Sequence, residues 1–346
     1  MTMRICFMMY PWERVEPEHD STLRLVHECA LRGHTVAITT PSGLTIRDST
    51  VYGFCQVITK GQKIHEKVPT FYSQVQFRKA MLPMAGFDCI FMRSDPPLDA
   101  LALNFLDSVK EDTLIINDLE GLRLANNKLY TASMGGAAKE FIPTTHVSKN
   151  KEHLIKVLEE SEQEKMILKP LNGYGGQGVI LIEKSAMQNF SSLLDFYIGH
   201  GGNSNYVILQ DYIEGAEEGD KRILLLNGEP IGAMRRVPAK GDIRSNVHAG
   251  GTVVKHTLTK EERRLCAAIG PKLVRDGLYF VGLDVIGSKL VEVNVLSPGG
   301  IARINKLNRV KLQRPVIDFA ENIVQSRELL AQRKTEFRRA VEDANL

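Results

Sequence analysis

At 346 residues, 43% hydrophobic and 25% charged, the chain has the composition of a soluble globular protein and a length that suits two or three domains. Its 44 Lys plus Arg against 41 Asp plus Glu leave a net charge of +3, too small for a nucleic-acid-binding surface. No run nears the roughly 18 apolar residues of a membrane helix, and the five scattered cysteines, Cys6, Cys29, Cys55, Cys89 and Cys266, form no CxxC pair and read as reduced core or surface thiols of a cytoplasmic protein.

The opening stretch soon meets Trp12-Glu13-Arg14 and has no small-residue cleavage site, so residues 3–9 read as a buried strand and not as a signal peptide. Residues 21–32 read as a helix, with Leu23, Val26, Ala30 and Leu31 near helical spacing and Gly33 at its stop. HTVAITT (34–40), FDCIFMR (87–93) and TLIIN (113–117) read as further strands with helical segments between. This alternation predicts an open, mostly parallel sheet. The first strand-to-helix turn carries no glycine, which argues against a Rossmann nucleotide site there.

From about residue 125 the texture changes. NNKLYTASM reads as a helix start and HLIKVLEESE as an amphipathic helix. Apolar strand pairs follow: 165–171 with 179–183, 206–212 with 222–227, and 279–286 with 290–295. Short turns join the first and last pairs, as in hairpins. This half reads as α+β with antiparallel sheet. The tail from Pro315 reads as helix, with its final charges on a solvated face.

MILKPLNGYGGQGVILIE (166–183) contains G-x-G-x-x-G at Gly173, Gly175 and Gly178. A dinucleotide fingerprint must lead into a helix, whereas Val179 to Ile182 is a strand-type run. The architecture is strand, glycine loop, strand, with Lys169 on the strand leading in. Glycines let the backbone approach an anion and donate to phosphate oxygens. A plain glycine-rich hairpin turn is the alternative.

In YFVGLDVIGSKLVEVNVLSPGG (279–300), Asp284 precedes the turn Gly287-Ser288-Lys289, and the returning strand carries Glu292 and Asn294 on one face. A hairpin brings two carboxylates and an amide oxygen together, a hard-oxygen set suited to magnesium. A polar outer face is the alternative, but Asp284 lies in an apolar strand, where an unpaired carboxylate is costly.

Together these stretches resemble the bacterial glutathione synthetases of the ATP-grasp superfamily. The resemblance rests on MRSDPP (92–97), NNKLYTA (126–132), ILKPLNGYGGQGV (167–179), GDKRILLLNGEPIGAMRRVP (219–238), RSNVHAGG (244–251) and IGPKLVRDGLYFVGLDVIGSKLVEVNVLSP (269–298), in order over nearly the whole chain. It implies an N-terminal parallel-sheet substrate domain (1–123), an ATP-grasp domain (124–320) with a glycine-rich lid hairpin in a subdomain near 130–210, and a helical tail (321–346). The implied activity is an ATP-dependent ligase. It phosphorylates the carboxylate of γ-glutamylcysteine and lets glycine attack the acyl phosphate, giving glutathione.

The resemblance also implies roles. Lys128 and Lys169 touch the ATP phosphates, which Gly173, Tyr174, Gly175, Gly176, Gln177 and Gly178 cover. Gln210, Tyr212 and Ile213 line the adenine, and Asp220 either pairs with Arg222 or lies near the ribose. Asp284, Glu292 and Asn294 resemble the ligands of two magnesium ions, for which manganese can substitute. Arg222, Arg236 and Arg244 are the catalytic cations, Arg244 and Asn246 lying in a lid-like polar stretch with His248. Arg93 is the counterpart of a substrate-carboxylate ligand. The resemblance further implies a homo-oligomer that uses small-molecule substrates and binds neither nucleic acid nor membrane. One departure stands out: the family pattern has threonine after Ser297-Pro298, and here Gly299-Gly300 follow, near the expected acceptor site. A related ligase with another donor or acceptor is therefore the alternative, and a nucleotide-binding protein without turnover a more distant one.

Overall fold

The computed structural model describes residues 2–173, 176–199, 205–238 and 251–344. The chain divides into two compact units, one of Met1–Leu119 with Val310–Leu346 and one of Glu120–Arg309.

The first unit holds β1 (Arg4–Met9), β2 (Thr35–Thr39), β3 (Leu44–Arg47), β4 (Thr50–Ile58), β5 (Phe77–Pro83), β6 (Cys89–Arg93) and β7 (Leu114–Ile116) in one sheet of order β3-β4-β2-β1-β6-β7, with β5 on β4. β2, β1, β6 and β7 run parallel. Ile5 to Met9 are wholly buried, as expected of a parallel strand covered on both faces. The helix Ser21–Leu31 is capped by the Asp20 carboxylate, which accepts from the Leu23 amide, and ends at Gly33 with φ +79°.

β3, β4 and β5 form an antiparallel extension that departs from the mostly parallel expectation. Arg47 pairs with Thr50 across Asp48 and Ser49, which both have positive φ. That is a two-residue hairpin turn made without its usual glycine.

The last helix, Gln313–Asp343, belongs to this unit. Val316, Ile317, Ala320 and Val324 are buried, and residues 325–344 are exposed. Division by packing thus falls near residue 310, not at 320, because the apolar stripe of the helix is spent on the first unit.

The second unit holds β8 (Thr145–Ser148), β9 (Lys165–Pro170), β10 (Ile180–Glu183) and β11 (Val207–Asp211), ordered β10-β9-β11-β8. A second sheet of order β14-β13-β12-β15-β16 comprises β12 (Asp220–Leu226), β13 (Glu229–Val237), β14 (Thr252–Lys255), β15 (Phe280–Ile286) and β16 (Lys289–Asn294). All pairings in both are antiparallel. Leu154, Leu158, Phe190 and Leu194 from the helices Lys151–Glu160 and Phe190–Gly199 share a core with Met166, Leu168 and Leu209 of the first of these sheets.

The hairpins 165–183 and 280–294 form as the sequence suggests. The pairing of 206–212 with 222–227 does not. β11 lies between β9 and β8, and β12 lies between β13 and β15. The segment between them turns at Gly215 (φ +85°) and Gly219 (φ +98°), so the chain leaves one sheet and enters the other.

Candidate active site

A cavity within the second unit is walled by Ile167, Lys169 and Gln210 from one sheet and by Asp220, Asp284, Ile286, Val291 and Glu292 from the other. Lys128 reaches it from the start of the short helix Leu129–Ala132, and Tyr212, Ile213 and Ala216 from the crossing segment. Gly173, Gly176, Gln177 and Val179 of the glycine loop complete it. Apolar walls beside clustered charges suit a molecule with a flat ring and an anionic end.

Register explains the charged wall. Asp220 lies opposite Arg236 on β12 and β13, Arg222 opposite Asp284 on β12 and β15, and Asp284 opposite Glu292 on β15 and β16. Arg222 donates through Nε and Nη2 to the two Asp284 oxygens at 2.5 and 2.9 Å. Arg236 Nη2 lies 3.0 Å from Asp284 Oδ2, while its Nε donates to Asp220 Oδ1 at 2.6 Å. Asn294 Nδ2 donates to Asp284 Oδ2 at 3.2 Å. Burial alone would push the Asp284 carboxyl up, but the charges of Arg222 and Arg236 hold it well below the usual carboxylate range. Asp220 therefore pairs with Arg236, not with Arg222.

Two lysines form the other charged wall. Lys128 donates to the Gly173 carbonyl and stands 3.4 Å from Glu292 Oε1. Lys169, 7% exposed, donates to Gln210 Oε1 at 2.9 Å. Burial pushes the Lys169 ammonium down to about 8, against the pull of Glu292 and with the push of Lys128. Of the remaining loop glycines, Gly178 has φ +69° and its carbonyl accepts from the Tyr197 hydroxyl at 2.9 Å.

Arg222 Nη1 also donates to the Gly299 carbonyl at 3.2 Å, which ties the Ser297 to Gly300 turn to the same cluster. Gly300, at φ +128°, starts the helix Ile301–Asn308. Tyr174, Gly175, Arg244, Asn246 and His248 lie outside the described residues. Arg93 belongs to the first unit, where its Nε donates to Thr22 Oγ1 at 3.0 Å and burial brings it down to about 10 against Asp20 and Asp95.

Among the described residues no three His, Cys, Asp or Glu side chains cluster as a metal cage. A cation here would have Asp284, Glu292 and the Asn294 amide oxygen, and would complete its shell from an incoming anionic ligand. Those all-oxygen donors fit a hard divalent cation. The apolar members Ile167, Val179, Ile286 and Val291 were not singled out from sequence. Ile286 lies two residues from Asp284 on one strand face, a signal that was available.

Comparison with known proteins agrees with this geometry. Residues 3–123 match the family description "Prokaryotic glutathione synthetase, N-terminal domain" and residues 127–309 match "Prokaryotic glutathione synthetase, ATP-grasp domain". The chain belongs to the prokaryotic glutathione synthetase family. It is 36% identical to the glutathione synthetase of Gloeobacter violaceus, over 92% of this chain and 96% of that protein. It is also 36% identical to the glutathione synthetase of a Synechocystis species, over 92% of this chain and 99% of that one. Among solved structures, a RimK domain ATP-grasp protein from Sphaerobacter thermophilus has the same fold, with TM-score 0.61 at 18% identity over 91% of this chain and 98% of that one. This member of the glutathione synthetase family is thus an ATP-dependent carboxylate–amine ligase of mixed α/β ATP-grasp fold, and its family uses ATP and a divalent cation. No helix of the described residues is long and apolar enough to cross a membrane.

Proposed function

We propose that this ligase joins γ-glutamylcysteine to glycine and makes glutathione, with ATP driving the reaction through an acyl phosphate. The observation that carries this reading is the pair of family matches, which spans 3–123 and 127–309, together with one cavity that has Lys128 and Lys169 on one side and Asp220, Asp284 and Glu292 on the other. A carboxylate is a poor electrophile, and transfer of the γ-phosphoryl group to it supplies a leaving group. The glycine amine then attacks the acyl carbon and phosphate departs.

In this reading Lys128 and Lys169 bind the ATP phosphates beneath the 173–178 loop, and Tyr212 and Ile213 line the base. Arg222, Arg236 and Arg244 meet the transferred phosphoryl group, whose charge spreads over three oxygens. Asp220 holds Arg236 in place as that charge moves. Asp284, Glu292 and Asn294 hold magnesium, two ions by family pattern with manganese able to replace them. Bound there, the metal neutralises phosphate charge. Arg93, Asn246, Ser297, Gly299 and Gly300 serve the amino-acid substrates. A cytoplasmic homo-oligomer completes the reading, in keeping with five buried free cysteines.

One observation favours a second reading with another acceptor. Gly299 stands where the resemblance implies threonine, and a Cβ there would meet nothing within 4 Å among the described residues. An acceptor other than glycine is compatible with that opening.

The test is ADP release with Mg-ATP, γ-glutamylcysteine and glycine, repeated with each omitted. A requirement for all three supports the first reading. Turnover that needs the dipeptide but not glycine moves the acceptor to the second. Silence with every combination overturns the first reading and sends the second to a screen of other donors and acceptors.

A further inference from the structure

We propose that Thr145 is a positioning residue for the phosphate-binding lysine: its hydroxyl fixes the Gln210 side-chain amide so that the amide oxygen faces Lys169. This rests on the reading of Lys169 as a nucleotide-phosphate ligand and adds a residue that neither the motifs nor the family matches single out.

The argument is one of hydrogen-bond direction. Thr145 Oγ1 has a single proton, and it goes to the Pro143 carbonyl at 2.7 Å, which can only accept. The hydroxyl lone pairs remain for Gln210, whose Nε2 lies 2.7 Å away. With its nitrogen on Thr145, the amide must turn its oxygen to Lys169 Nζ at 2.9 Å. The reverse orientation would set N–H against ammonium, and N–H has no lone pair to offer. The polarity thus runs without a break from Lys169 through Gln210 and Thr145 to the Pro143 carbonyl.

Strand register builds this relay. Thr145 on β8 pairs with Gln210 on β11, Gln210 pairs with Ile167 on β9, and Lys169 follows Ile167 by two on the same face. Gln210 is 5% exposed and Lys169 7% exposed, so losing a partner leaves a largely buried polar group poorly paired. The charged groups nearest Lys169 in the cavity, Lys128 and Glu292, are engaged with each other at 3.4 Å. Gln210, expected from sequence to line the adenine, therefore spends both ends of its amide on holding the lysine.

The experiment is ADP titration by calorimetry on wild type, Thr145→Ser, Thr145→Val, Gln210→Leu and the Thr145→Val/Gln210→Leu double variant. We expect Thr145→Val to weaken ADP binding about tenfold, the scale of one hydrogen bond to a charged group. Thr145→Ser should bind within about twofold of wild type. The double variant should bind no more weakly than Gln210→Leu alone, since Thr145 acts through Gln210. Wild-type affinity in Thr145→Val, equal losses in Ser and Val, or additive losses in the double variant would each overturn the proposal. Should Thr145→Val not fold, Thr145→Ala removes the same hydroxyl. A wild-type protein that binds no ADP would instead overturn the nucleotide reading beneath it.

Discussion

Asp284 and Arg222 face each other on paired strands 62 residues apart in sequence and meet through two parallel hydrogen bonds of 2.5 and 2.9 Å. Arg236 reaches the same carboxylate at 3.0 Å and is paired with Asp220 as well, so two buried aspartates balance two buried arginines, with Asp284 touching both. The residue assigned to the metal is also the electrostatic keystone of β12, β13 and β15.

That double duty separates the two carboxylates of the proposed metal set. Asp284→Ala leaves Arg222 without its bidentate partner in a buried site, and breaking such a pair costs about 3–5 kcal/mol. Glu292 is a third exposed at its side chain and, among the described residues, its ion pair is with Lys128 at 3.4 Å, so Glu292→Ala should cost below about 1 kcal/mol. Both should abolish turnover. Chemical denaturation read beside ADP release checks this. Equal loss of stability in the two variants would refute the keystone role, and near-normal turnover in Glu292→Ala would sink the metal assignment.

Lys169 supplies a pH signature. Its ammonium is pushed down to about 8 by burial, so free protein carries it charged below that pH and neutral above. Because this folded value lies below the ordinary lysine value near ~10.4, charging the group costs stability as pH falls through that window. Nucleotide phosphates favour the charged form, so ADP affinity should hold steady below pH 8 and fall above it, by up to about tenfold per pH unit. Titrations across that range on wild type and Lys169→Met measure it. The same fall in the methionine variant would assign the proton elsewhere.

Much of this site is legible in the sequence for a local reason. The glycine loop declares itself because a strand, not a helix, follows Gly178, and the Asp284–Glu292 pairing follows from a short turn at Gly287. What hides is non-local. Asp220 meets Arg236 only because β13 folds back after Asn227-Gly228, a hairpin signal obscured by the irregular pattern EPIGAMRRV. β11 and β12 read as a pair because both are apolar, and apolarity does not say which sheet a strand joins. β4 alternates buried and exposed residues, and its turn at Asp48-Ser49 lacks glycine, so its antiparallel pairing with β3 carries no strong mark.

The C-terminal helix offers a test in the first unit. His34 Nδ1 accepts from the Met3 amide at 3.1 Å, so Nε2 carries the proton and donates to Glu321 Oε1 at 2.7 Å. His34 is buried, and Glu321→Ala strands that N–H at a cost of about 1–3 kcal/mol. Asp318, more than half exposed, pairs with Arg32 at 2.6 Å, and Asp318→Ala should cost below about 1 kcal/mol. Removal of residues 331–346, all beyond the last buried position Val324, should leave the melting midpoint unchanged. A large drop on truncation would mean that the exposed half of the helix has a packing partner.

The glycine pair that departs from the family pattern divides into two different sites. At Gly299 an added Cβ meets nothing within 4 Å among the described residues, and the contact with Arg222 Nη1 uses the backbone carbonyl, which any residue keeps. Gly299→Thr should therefore fold with wild-type stability and leave the ADP dissociation constant unchanged. If the turn sets the acceptor, the threonine should alter the KM for the acceptor amino acid and little else. Gly300 stands at φ +128°, where side chains are strained, and a Cβ there would lie 3.4 Å from Met234 Cε. Gly300→Ala should cost about 1–3 kcal/mol and, by shifting the start of the helix Ile301–Asn308, weaken every substrate together. Acceptor profiles and melting curves of the two variants decide the matter. A Gly299→Thr enzyme with unaltered KM for every acceptor would remove this turn from the specificity site and return the choice of acceptor to other residues.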